Sequence, residues 1–530
     1  MRTKIKLQTI VGLIFICILF LSPIYAQKNA ASNRAQTNQI VQNAADFIQS
    51  GKLPEAENLL RDYLTKSPKD DRARILLGVA LEQQNQFAEA EKIYRGILQT
   101  NPRDLSASAN LGILLAKTNR LPEAISILEK VLQMNPNHQQ AQFNLAAIYI
   151  SQNEFTKAAS LLEKLVGITA ANKTPTNTDT ALLFSLTKAY AATGKKKEAA
   201  ATAKFLEKQQ PDDARLLFTL GLVFAETGIY EQAKQLFERV NTLKPDNFDV
   251  LYNLGIAYYN TEELDKSRFV LQKAADVNPS APEVFYRLGL IASAKDEPEN
   301  AIGLWQKALE LRPVYPEANF LTAEKLFENN LYTGALVFYK KAAEQEPENL
   351  LYQIRYGVDL IRLKEYQEAR IVLDKLQKKY PDHLNVTYLK GFLARAEGVY
   401  DEAQTSFEKV LKMSPDNADV LANLGFLADQ RGDKEKSEKL LRQAIKIDPK
   451  NFPAHYDLGR ILLRSNRIDE ALPILKRGAE IGKNDPGIYY QLFLAYSRLK
   501  KKDEADTAFA EFKRLEKALT PTSGSSVSPN

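Results

Sequence analysis

Cysteine is almost absent from this chain. Cys17 is the only one in 530 residues, so neither an internal disulfide nor a thiolate metal site can organise the fold. Histidine is scarce as well: His138, His383 and His455 are far apart, and the first two fall in turns, so no shared metal site or general base is expected. Glycine-rich phosphate loops and the Gly-x-Ser-x-Gly elbow are missing, and acidic pairs such as Glu262-Glu263 read as solvated turns. The sequence therefore offers no catalytic residue, no metal ligand set and no cofactor site. Charge of one sign is lacking too. The net charge is +6, and Arg2, Lys4 and Lys6 supply half of it, which leaves the rest near neutral and without a footprint for nucleic acid.

Long apolar runs are confined to Ile10–Leu21, a twelve-residue stretch that is short for a comfortable membrane span. Three basic residues precede it, and Ser22-Pro23-Ile24-Tyr25-Ala26 follows, the pattern of a secretory signal peptide cut after Ala26. Residues 1–26 are thus expected to direct export, to the periplasm or cell envelope in a bacterium and to the exterior otherwise. The alternative is an uncleaved N-terminal membrane anchor. Phe15 and Ile16 stand where a lipidated cysteine would need small neighbours. Residues 27–36 read as a flexible polar leader, and the tail 520–530 (TPTSGSSVSPN) as disordered.

What the chain does have is a ruler. Pro68, Pro102 and Pro136 are 34 residues apart, and so are Pro211, Pro245, Pro279, Pro313, Pro347, Pro381, Pro415 and Pro449. With proline as position 32, fourteen units fill 37–519, starting at Thr37, Asp71, Leu105, Gln139, Thr180, Ala214, Phe248, Pro282, Pro316, Leu350, Leu384, Ala418, Phe452 and Pro486. A single insertion, 173–179, interrupts them. It reads as a surface loop, with a change of angle between the flanking stacks as the other possibility.

Position 20 is Ala in twelve units and Ser (Ser267, Ser437) in two, while position 8 is Gly or Ala in twelve, with Thr187 and Phe493 as exceptions. Such small residues let two helices cross closely. Large apolar residues surround them at helical spacing, as in Leu217, Leu220, Phe224, Phe237 and Val240. Position 15 is Gly, Asn or Asp in eleven units, the types that accept the left-handed backbone at a helix end. Proline at 32 then stops a second helix. Each unit is helix, turn, helix, and the chain is an all-α solenoid.

The pattern resembles the tetratricopeptide repeat (TPR) family. Leu251, Leu254, Gly255, Tyr258, Ser267, Leu271, Ala274 and Pro279 carry the motif in the seventh unit, and Phe285, Leu288, Gly289, Ala301, Trp305, Ala308 and Pro313 in the eighth. Departures from it, such as Ala170, Lys483 and Lys517 in place of proline, cluster at the insertion and the chain end. The resemblance implies a right-handed superhelix whose first helices line a concave groove that holds peptide-like ligands, with positions 2, 5, 6, 9, 12 and 13 facing it.

On that stripe, position 5 is aromatic at Phe143, Phe184, Phe218, Tyr252, Tyr286, Phe320, Tyr388, Tyr456 and Tyr490, either as a gripping strip or as rings half-buried against the next unit. Position 6 carries Asn110, Asn144, Asn253 and Asn423, resembling the asparagine ladder of the O-linked N-acetylglucosamine transferase arm, but Arg287, Arg355, Leu389 and Asp457 break it. Arg355, Arg362, Arg395, Arg460, Arg464 and Arg498 make the C-terminal stripe basic, interrupted by Asp419 and Asp429. They are either carboxylate readers or an ordinary solvated face.

These features point first to a non-enzymatic exported scaffold that binds a protein or peptide in its groove. The alternative is a periplasmic component of a polysaccharide synthesis or export machine, with the arginines steering an acidic glycan. A substrate-recruiting arm of an enzyme is the remote third reading, because no stretch outside the repeats is long enough for a catalytic domain.

Overall fold

The computed structural model describes residues 33–519. The expected signal peptide, most of the leader and the tail lie outside them. Among the described residues there are 28 helices and no strand, running as consecutive pairs from α1 (Asn33–Gln49) to α28 (Lys502–Leu519). The chain divides after Asn278 into two units, each an α-solenoid of stacked helix pairs. From the second pair onward the first helices begin at Asp71, Leu105, Gln139, Thr180, Ala214, Phe248, Pro282, Pro316, Leu350, Leu384, Ala418, Phe452 and Pro486. The first pair departs from this register. Its α1 takes in 33–36, a stretch expected to be leader, where no Gly or Pro stands in the way.

Helix ends follow from single residues. Asp, Asn or His at the position before a first helix accepts from its free N–H groups: Asp104 Oδ1 from Ala107 N at 2.8 Å, Asn247 Oδ1 from Val250 N at 3.1 Å and His138 Nδ1 from Ala141 N at 3.2 Å. Position 15 adopts the left-handed backbone in every unit, from Gly51 (φ 73°) to Asn466 (φ 59°). The next N–H closes back on position 11, as Gln86 N does on Leu81 O at 2.8 Å, the hydrogen bond of a Schellman ending. Glu262, Lys364 and Lys500 take the same conformation at φ 64°, 66° and 58°, which their side chains do not predict. Where Lys517 stands in place of proline, α28 runs on to Leu519 and reaches 18 residues, against 14 for α24 (Lys434–Ile447), which Pro449 follows.

The core sits within and between the pairs. Position 20 is buried throughout, and the hydroxyls of Ser267 and Ser437 donate to the position 8 carbonyls of Gly255 and Gly425 at 2.7 and 2.6 Å. Position 8 makes room for the large side chain at position 24 of the same unit. A Cβ on Gly78 would lie 2.6 Å from the Tyr94 ring, and one on Gly221 would lie 2.5 Å from the Phe237 ring. Where position 8 is the larger Thr187, position 24 shrinks to Ala203, and both are buried.

The insertion leaves the stacking undisturbed. Tyr149 OH donates to Glu129 at 2.6 Å and Tyr258 OH to Glu238 at 2.6 Å, a contact from position 11 to position 25 of the preceding unit. Tyr190 makes it across the insertion, to Glu163 at 2.9 Å. The extra residues are looped out, and the pairs on either side keep their register.

Candidate functional site

First helices of neighbouring pairs touch directly, as α3 (Asp71–Gln83) does with α5 (Leu105–Lys117) and α23 (Ala418–Gln430) with α25 (Phe452–Arg464), so their outward stripes form a wall within each unit. The expected site residues occupy that wall unevenly.

In the first unit, Asn110, Asn144 and Asn253 make the same bond, but Asn144 is buried at 7% exposed and is corrected to a core residue, while Asn110 and Asn253 are half-buried. Each turns its amide N–H onto the carbonyl four residues back: Ser106 at 3.0 Å, Gln140 at 2.8 Å and Asp249 at 2.8 Å. Only the NH2 can donate to a carbonyl, so this bond fixes the amide orientation and aims the acceptor oxygen away from its own backbone. Phe143, Phe184, Phe218 and Tyr252 are half-buried; Phe218 tilts onto Phe237 at 5.6 Å, and Tyr252 stacks on Phe248 at 6.0 Å.

In the second unit, two of the aromatic expectations are corrected. Tyr286 and Phe320 are each only 6% exposed, because Tyr315 covers the first at 5.0 Å and Tyr352 and Tyr339 enclose the second at 4.6 and 6.0 Å. These two rings belong to the core and offer no surface to a ligand. Tyr388 and Tyr456 are half-buried, and Tyr490 is the most open at 40% exposed.

The arginines are engaged, so the expected cationic stripe is not a free one. Arg355 pairs with Glu324 at 3.1 Å. Arg460 spans Asp457 at 2.9 Å and Asp429 at 3.2 Å, and Arg464 closes on the same Asp429. Arg395 donates to Asn423 Oδ1 at 2.5 Å and lies over the Phe426 ring at 4.5 Å; Asn423 in turn donates to Asp419 O at 2.8 Å. Arg362 covers the Tyr332 ring at 4.5 Å and donates to its hydroxyl at 2.7 Å, and Arg498 donates to the Leu463 carbonyl. Arg287 lies over the Tyr286 ring at 5.9 Å. Burial pushes the Asp457 carboxyl up, with the Arg460 charge opposing it.

Asp429, which breaks the basic stripe in the sequence, thus turns out to join two of its arginines, while Asp419 accepts from Asn451 Nδ2 at 2.7 Å. For Arg355, Arg460 and Arg464 the signal was present as an acidic residue about one period earlier. Nothing in the sequence alone distinguishes such partners from solvated charges.

Among the described residues no group of three His, Cys, Asp or Glu side chains is placed to hold a metal ion, and no helix is long and apolar enough to cross a membrane. Repeated helix pairs with this register define a helical-repeat binding protein. The chain belongs to the tetratricopeptide repeat family: one model so described matches residues 47–114, 115–174, 225–288, 326–391, 394–444 and 437–495, and a second matches 185–248 and 286–349.

No curated protein matches the chain. Among solved structures, it is similar to MamA at 23% identity, covering 30% of this chain and 93% of that one with a TM-score of 0.28. It is also similar to the Cut9–Hcn1 hetero-tetramer of APC/C (13% identity, 85% and 95% covered, TM-score 0.36) and to yeast Tom70 (16%, 86% and 100%, TM-score 0.32).

Proposed function

We propose that this chain is a non-enzymatic scaffold, exported to the cell envelope, which holds an extended or helical segment of a partner protein along its wall of first helices. One observation carries the choice of a protein over an acidic polysaccharide: the wall arginines are already committed to Asp429, Asp457, Glu324, Asn423 and aromatic faces. A polyuronate gains most from unpaired cations. A peptide backbone gains from oriented amide acceptors such as Asn110 and Asn253, and its side chains from half-buried rings such as Tyr388 and Tyr456. The near-neutral balance of the repeats supports the same reading. Export rests on the charged and apolar N-terminal pattern.

The test is mild crosslinking in cells, followed by affinity purification from the envelope fraction and N-terminal sequencing. The expected result is a chain beginning at Gln27, crosslinked to a protein that is lost when Asn253 and Tyr388 are changed to Ala. Retention on an acidic glycan matrix with no crosslinked protein would overturn the reading.

A further inference from the structure

The insertion that the wall does not use builds a site of its own. After α8 (Phe155–Leu165) the chain turns through Gly167 (φ 75°) and folds back. Thr176 N and Asn177 N both donate to Val166 O, at 2.8 and 3.2 Å. Within the loop, Thr169 N bonds Asn172 O at 2.8 Å, and Asn172 bonds Thr174 through both its side-chain oxygen and its amide, at 3.0 and 2.9 Å. A Cβ on Gly167 would run into Thr176 Oγ1. The loop is therefore a built lip rather than slack chain.

This lip faces α10 (Lys196–Gln209), a second helix, and the two enclose a cleft of about 770 Å³. Its charge is one-sided, with five lysines against two glutamates. One of those glutamates, Glu163, is occupied by Tyr190 OH at 2.9 Å and Lys195 at 3.7 Å. Lys173 on the lip and Lys197, Lys204 and Lys208 on α10 are exposed and make no ion pair among the described residues.

The three helix lysines follow i, i+7, i+11 spacing, so they share one face and span roughly 16 Å along the axis. Exposed Ala201 lies between them, where a ligand backbone can approach. Half-buried Ile168, Pro175 and Phe205 supply an apolar floor.

We propose that this cleft binds an acidic, extended peptide segment of a partner protein, with carboxylates on the lysine row and aliphatic side chains on the floor. An extended chain repeats its side chains on one face every ~7 Å, which matches a linear row of charges better than a single compact anion would. The apolar floor favours a peptide over a uronate chain, which has no aliphatic side chain to place there. The site lies on a second helix and does not depend on the wall reading.

The test is fluorescence anisotropy with the full chain and a fluorescein-labelled octapeptide alternating aspartate and leucine. Binding is expected, weakening with added salt, and at least about tenfold weaker for Lys197→Glu/Lys204→Glu/Lys208→Glu, whose melting temperature should be unchanged because these side chains are exposed. Gly167→Ala, which unseats the lip, should weaken binding while the helical circular dichroism is retained, and the Asn253→Ala wall variant should bind as the wild type does. Equal affinity for the charge-reversed protein, or for the peptide with asparagine in place of aspartate, would overturn the proposal. Displacement of the peptide by an equal concentration of oligogalacturonate would also overturn it, in favour of a polysaccharide.

Discussion

Asp359 is the residue most at odds with its surroundings. It sits at position 10 of a first helix, where the unit before has Lys325 and the two units after have Leu393 and Leu427; it is fully buried, and neither carboxylate oxygen has a hydrogen-bond partner. Burial pushes its carboxyl up to about 7, against the opposing charge of Arg362 one turn on, and on the preceding helix its charge in turn helps to hold the Tyr339 hydroxyl protonated. An unfolded aspartate titrates near 3.9. Between about pH 4 and 7 the native chain therefore keeps a proton that the unfolded chain has released, so stability falls as pH rises through that window. Asp359→Leu should stabilise the second unit by on the order of 2 kcal/mol at pH 8, and the gain should shrink toward pH 4. Denaturant melts at the two pH values check this; a gain independent of pH would show that Asp359 ionises freely. A second strained residue is Lys364, held at φ 66°. Lys364→Gly should raise stability by about 1 kcal/mol by removing the Cβ penalty of the left-handed turn, read from the same melts.

At the scale of the helix pair, complementarity between positions 8 and 24 decides how closely two helices nest. Gly112 admits Leu128 and Gly221 admits Phe237, whereas Thr187 faces Ala203 and satisfies its own hydroxyl on Leu183 O at 2.8 Å. The total volume is shared between two positions. Ala203→Leu alone should overpack the fifth pair and cost about 1–3 kcal/mol, while Thr187→Gly with Ala203→Leu should recover most of the loss. A double-mutant cycle by chemical denaturation measures this, and additive losses would mean the two side chains do not share the space. This layer of the fold was legible in the sequence, because each demand is met by a narrow set of residue types: Gly or Ala at 8, Ala or Ser at 20, a left-handed turn former at 15. Glu262, Lys364 and Lys500 were not legible as turns, because there the packed helices on either side impose the conformation on side chains that do not prefer it. The aromatics at position 5 stood at the border between core and wall, and only the distant rings of Tyr315, Tyr339 and Tyr352 decide that Tyr286 and Phe320 face inward.

For the molecule as a whole, what matters is how the wall balances its charge from one pair to the next. Arg395 reaches Asn423, Arg355 reaches Glu324, and Arg460 and Arg464 meet on Asp429, each partner lying one helix pair away. Such reach across helices is invisible to a repeat ruler, which aligns equivalent positions but does not tell which side chains bridge them. Hence in the sequence the arginine stripe read either as carboxylate readers or as an ordinary solvated face, and its internal partners stayed hidden. If Asp429 is what silences it, Asp429→Ala should release Arg464 entirely and leave Arg460 with Asp457 alone. The variant should lose on the order of 1–3 kcal/mol of stability, since a nearly buried ion pair is broken from one side. It should also gain affinity for oligogalacturonate, measured by anisotropy in the Lys197→Glu/Lys204→Glu/Lys208→Glu background so that the basic cleft does not contribute. An unchanged uronate affinity in a folded Asp429→Ala protein would mean that these arginines are indifferent to polyanions whether paired or not, and the preference for a protein ligand would then have to rest on the amides and rings of the wall alone.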